Sequence, residues 1–72
     1  MTFKMIKTTN SSFNYLKGAE GSLSIGVIIR MDYPDGRWFR SSSIQNIKYE
    51  YGNNIKLHVT TRNSEYVFEE VT

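Results

Sequence analysis

Along the second half of this chain, apolar and polar residues alternate with the period of two that marks half-buried strands. In "IKYEY" Ile47, Tyr49 and Tyr51 share one face, in "IKLHV" Ile55, Leu57 and Val59 do, and in "EYVFE" Tyr66 and Phe68 do. The separators "GNN" and "RN" supply turn residues, because glycine and asparagine accept the left-handed backbone of tight hairpins. Loop length then follows from register. A three-residue loop over Gly52, Asn53 and Asn54 sets Tyr51, Tyr49 and Ile47 opposite Ile55, Leu57 and Val59, with Glu50 against Lys56. A two-residue loop would oppose Glu50 to Leu57, since a one-residue slip inverts every side chain. Turning at Arg62-Asn63 pairs Val59 with Tyr66, Leu57 with Phe68 and Lys56 with Glu69. These agreements predict a three-stranded antiparallel meander.

Upstream, "SLSIGVIIRM" places Leu23, Ile25, Val27, Ile29 and Met31 on one face and predicts a strand. In "YPDGR", Pro34 suits the second position of a type I turn and Gly36 the left-handed residue after it. A loop of Pro34, Asp35 and Gly36 sets Met31 opposite Phe39 on the core side, with Asp32 opposite Trp38 and Arg30 opposite Arg40 on the other. The segments "FKMIK" and "FNYL" fit either a further hairpin or a strand followed by a helical turn capped by Ser11 or Ser12; strands are the expectation adopted. The fold class expected is all-β: one domain over residues 1–72, with five to six strands in a small antiparallel barrel or strongly coiled sheet ending in the meander. A barrel that stays open leaves an edge for a second copy, so a homo-oligomer is an expected partner state.

Composition narrows the chemistry. At 72 residues the chain buries a limited core, which leaves little stability for a large enclosed active site. It has no cysteine, hence neither disulfides nor thiolate chemistry, as suits a reducing cytoplasm. No apolar run approaches the roughly 18–20 residues that span a bilayer, so a soluble protein without a membrane partner is expected. The net charge of +2 is spread along the chain and admits an anionic partner.

The candidate site is the outward face of the predicted Met31–Phe39 hairpin. Opposed Arg30 and Arg40 repel, and either Asp32 or a bound anion must offset them. Trp38 beside Arg40 offers a π surface next to a guanidinium fork, able to stack a base and grip a phosphate, and Ser41, Ser42 and Ser43 add hydroxyl and backbone donors. The ligand-binding residues expected are therefore Arg30, Trp38, Arg40, Ser41, Ser42 and Ser43. The competing structural reading covers the indole with "NYLKG", stacks Arg40 on it as a lid, and makes the serines a mere exit. Elsewhere, His58 is the sole histidine and lacks companions for a metal site. Glu69 and Glu70 point to opposite faces of a strand and cannot share acid–base work. Tyr49, Tyr51 and Tyr66 form an expected cluster at the core rim. No catalytic residues, metal or cofactor are expected, and enzymatic activity is not.

"FRSSSI" (Phe39 to Ile44) followed by "TRNSEY" (Thr61 to Tyr66) resembles a pattern of small β-rich accessory proteins encoded by phages of AT-rich bacteria. That resemblance implies a noncatalytic, anti-defence binding protein in the host cell cytosol. Its expected partner is an anionic nucleotide signal, or alternatively a host defence protein that it occludes. Weak single-stranded nucleic-acid binding is a third expectation.

Overall fold

The computed structural model describes residues 2–71; the outermost positions of the expected 1–72 domain lie outside the described residues. One seven-stranded sheet is formed by β1 (Thr2–Thr8), β2 (Glu20–Ile25), β3 (Ile29–Asp32), β4 (Trp38–Arg40), β5 (Ile44–Glu50), β6 (Lys56–Thr61) and β7 (Glu65–Glu70). Their spatial order is β4-β3-β2-β1-β7-β6-β5, with every neighbouring pair antiparallel. The all-β expectation holds. The strand count and the barrel do not: there are seven strands rather than five or six, and among the described residues no ladder joins β4 to β5, so the sheet is open.

The C-terminal meander has the register expected from its alternation as far as Glu50 and Lys56; there the ladder ends, so the expected Tyr51–Ile55 pair is absent and the loop runs over residues 51–55 rather than Gly52–Asn54. Ile47, Tyr49 and Glu50 pair with Val59, Leu57 and Lys56, and these in turn with Tyr66, Phe68 and Glu69. In the β3–β4 hairpin Arg30, Met31 and Asp32 face Arg40, Phe39 and Trp38. Its turn is closed by Gly36 N–H donating to the Tyr33 carbonyl at 3.1 Å, with Gly36 at φ +90°. A β-carbon there would be strained, which is why glycine stands after Pro34-Asp35.

The single strand expected over Ser22–Met31 is instead the β2–β3 hairpin, with Leu23 opposite Met31 and Ile25 opposite Ile29. Its three-residue turn is Gly26-Val27-Ile28, with Gly26 N–H donating to the Ile28 carbonyl at 3.0 Å. An odd-length turn folds a strand back while preserving parity, so residues of like face remain of like face and the alternation runs on unbroken. This accounts for the extra strand.

A second correction concerns residues 11–16. They form a short 3₁₀ helix, Ser11–Leu16, rather than a strand, and its cap is Asn10, whose side chain accepts from Ser12 N–H at 3.0 Å, rather than Ser11 or Ser12. An asparagine cap satisfies a donor that a strand would have left to a neighbour.

In a flat sheet β4 and β5 would lie about 29 Å apart, six spacings of about 4.8 Å. Only Ser41–Ser43 separate them in sequence, a reach of about 14 Å from Arg40 to Ile44. The sheet must therefore curl around its apolar face. Inside lie Phe3, Met5, Ile29, Met31, Phe39, Leu57, Val59, Tyr66 and Phe68, together with Leu16 from the 3₁₀ helix. Phe13 meets Phe39 edge-on at 4.8 Å, and Phe39 meets Tyr66 at 5.2 Å. The expected trio of tyrosines is divided. Tyr66 is buried among phenylalanines, whereas Tyr49 and Tyr51 stack on each other at 6.2 Å in the open.

Candidate functional site

The β3–β4 hairpin sends alternate residues to opposite faces, so Met31 and Phe39 enter the core while Arg30, Asp32, Trp38 and Arg40 share the outside. Trp38 is 58% exposed and no part of the Asn14–Gly18 segment buries it. The Arg40 guanidinium lies over the indole, 5.1 Å from the ring centroid. A cation at that distance is drawn to the ring's negative face, and the contact orders both side chains without removing them from water.

Structure also answers how two opposed arginines coexist. Asp32 takes Arg30 in a fork: Nε lies 3.0 and 3.2 Å from the two carboxylate oxygens, and one terminal nitrogen 2.9 Å from Oδ1. This hydrogen bonding holds the Asp32 carboxyl below the usual carboxylate range. Partial desolvation opposes the shift, and the charges of Arg30 and Arg40 add to it. Arg30 is raised in turn, first by the same hydrogen bond. Between Asp32 and the indole, the repulsion is offset from within the hairpin, with no anion required.

The three serines divide. Ser41 is buried; its hydroxyl accepts from Ile29 N–H at 2.9 Å and donates to the Ser42 carbonyl at 2.8 Å. The Ser42 hydroxyl donates to Thr61 Oγ1 at 2.9 Å and accepts from Asn63 N–H at 3.3 Å. Together with Ile44 N–H on the Val27 carbonyl and Arg62 N–H on that of Ser43, these bonds fasten the crossing from β4 to β5. Ser43 alone keeps an exposed side chain. The face thus brings together Arg30, Trp38 and Arg40 but not the hydroxyls of Ser41 and Ser42.

Two residues absent from the sequence-based set join it. Ser24 lies directly opposite Arg30, and Ser22 opposite Asp32, both exposed on β2. Their signal was Gly26, a turn residue inside an alternating run. His58 sits between Lys48 and Val67 on the outer face, with Nε2 2.9 Å from Glu50 Oε1. Among the described residues no three His, Asp or Glu side chains gather as metal ligands. No helix among them is long and apolar enough to cross a membrane. Comparison with family models, with curated proteins and with solved structures returns no match.

Proposed function

We propose that this chain is a noncatalytic, stoichiometric binding protein whose recognition centre is the Trp38–Arg40 stack, and that it docks on an acidic protein surface. One observation carries this reading: the chain's sole tryptophan stands more than half exposed, with an arginine lying over its face and, among the described residues, no carboxylate bonded to that arginine. Tryptophan and arginine are the residues that most often supply the energy of protein interfaces, and an open strand face suits a broad partner better than a small molecule that needs enclosing walls. In the anti-defence role implied by the phage-protein resemblance, the partner is a host defence enzyme held inactive by occlusion.

A second reading, sequestration of an anionic nucleotide, is favoured by one feature. The indole offers its remaining surface to a base while Arg40 and the exposed hydroxyl row of Ser22 and Ser24 flank the adjoining strands. Engagement of Arg30 by Asp32, and of two serine hydroxyls by the backbone corner, leaves fewer donors for phosphate and ranks this reading second.

Thermal melting with micromolar nucleotides separates the two, because a ligand that binds the folded state raises the midpoint. Capture of host proteins is then compared between the wild type and folded Trp38→Ala and Arg40→Ala variants. The leading reading expects a partner held by the wild type, lost by both variants, and no nucleotide shift. A partner retained by both variants, with no nucleotide response, overturns the site.

A further inference from the structure

On its inner face the curled sheet leaves, among the described residues, an apolar groove of about 240 Å³, lined by Phe3, Leu23, Ile25, Tyr49, Ile55 and Leu57. Its rim is the sheet edge β5, where Tyr49 is 49% exposed, and Tyr51, directly past the strand's end, is 76% exposed. An edge strand of seven residues with no proline is an open template for pairing, and stable proteins cover or blunt such edges. A register irregularity between Ile44 and Asn46 bends only the start of β5 and leaves the part from Ile47 onward regular.

Charge on the outer face specifies what covers it. One cross-strand row runs Glu20, Lys4, Glu69, Lys56, Glu50, alternating in sign across five strands, and it ends on the free edge with the Glu50 carboxylate, which is exposed beside its His58 contact. The next strand should present a cation there. If a second β5 runs antiparallel about a two-fold axis at Tyr49, Lys48 of each copy falls opposite Glu50 of the other. Ile47 then falls opposite Tyr51, and Tyr49 opposite itself. All apolar residues of this stretch stay on the groove face and all charged ones on the outer face. The geometry points to a second copy of this chain as the occupant: an isologous dimer made by pairing β5 with β5 in the Tyr49-centred register, which joins the two sheets and brings the exposed tyrosines together over the grooves.

A charge-swap experiment reads both the partner and the register. The wild type sediments as a micromolar dimer. Lys48→Glu and Glu50→Lys each place like charges opposite at both symmetry-related sites and weaken self-association about tenfold. An equimolar mixture of the two variants restores wild-type affinity, because every opposed pair is again of unlike sign. Restoration on mixing also shows that both variants are folded. A wild type that stays monomeric at high micromolar concentration overturns the proposal, as does a mixture no tighter than the variants alone. If Tyr49→Cys fails to cross-link to its own copy while dimers persist, some other register or surface is responsible and the proposed one is wrong.

Discussion

Strands β4 and β5 are consecutive in the chain and both lie at sheet edges, yet the apolar side of β4 is covered from within, whereas that of β5 packs on the core only at Ile44 and Ile47 and is left half exposed at Tyr49. At β4, Phe39 is 1% exposed because Phe13 from the Ser11–Leu16 helix packs edge-on against it. At β5, Tyr49 remains half exposed above a groove that no segment among the described residues fills. The chain carries one short insertion between strands, and its placement after β1 determines which gap is closed. Among the described residues there is no second plug, so the open edge is met by another molecule or left to water.

The largest effect should come from emptying the closed side. Leu16 is fully buried, so Leu16→Ala should cost about 2–5 kcal/mol in equilibrium urea unfolding. Val27→Ser, at the 78% exposed hairpin tip, should change stability by less than about 0.5 kcal/mol, and equal losses at both sites would erase the contrast. Next comes Gly21→Ala on β2. Its added carbon would stand 2.7 Å from the Asp32 carbonyl oxygen and 2.9 Å from the Tyr33 ring, and the overlap should cost about 1–3 kcal/mol.

A smaller effect is acid sensitivity on the β3–β4 side. Asp32 is lowered chiefly by the hydrogen bond from Arg30, and Asp35 by that from the Arg37 backbone N–H. Carboxyls with depressed folded pKa values contribute stability that is fully present above their unfolded values, near pH 4, and is lost as pH falls through the folded ones. Asp32→Asn should therefore flatten the decline of melting temperature below about pH 4; an unchanged slope would contradict the pairing. The smallest effect is Tyr33→Phe. The Tyr33 hydroxyl is buried with no partner among the described residues, so its removal should leave stability unchanged or slightly raised, where an engaged hydroxyl would show a loss.

The legible parts of this molecule were those where side chains on opposite strands test one another. Registers in the meander and in the Pro34-Asp35-Gly36 hairpin follow from matching faces, and with them the outward company of Arg30, Trp38 and Arg40. Parity hid the rest. Because the Gly26-Val27-Ile28 turn is odd in length, alternation could not distinguish one long strand from two, and Ser22 and Ser24 went unplaced beside the arginines. The Ser11–Leu16 helix is too short for helical periodicity to declare itself, so its cap at Asn10 and its plugging role emerge only in three dimensions. Ser41 and Ser42 look like free donors in sequence, but a sharp crossing between sheet edges needs their hydroxyls for its own backbone.

Fluorescence of the single tryptophan during urea unfolding tests most directly the claim that the β3–β4 hairpin turns Trp38 outward while Phe39 packs within. An indole already in water should emit at nearly the same wavelength folded and unfolded, and should be quenched by acrylamide almost as well in either state. A blue-shifted, quencher-resistant folded emission that moves to the red on unfolding would place the indole in the interior and contradict the account.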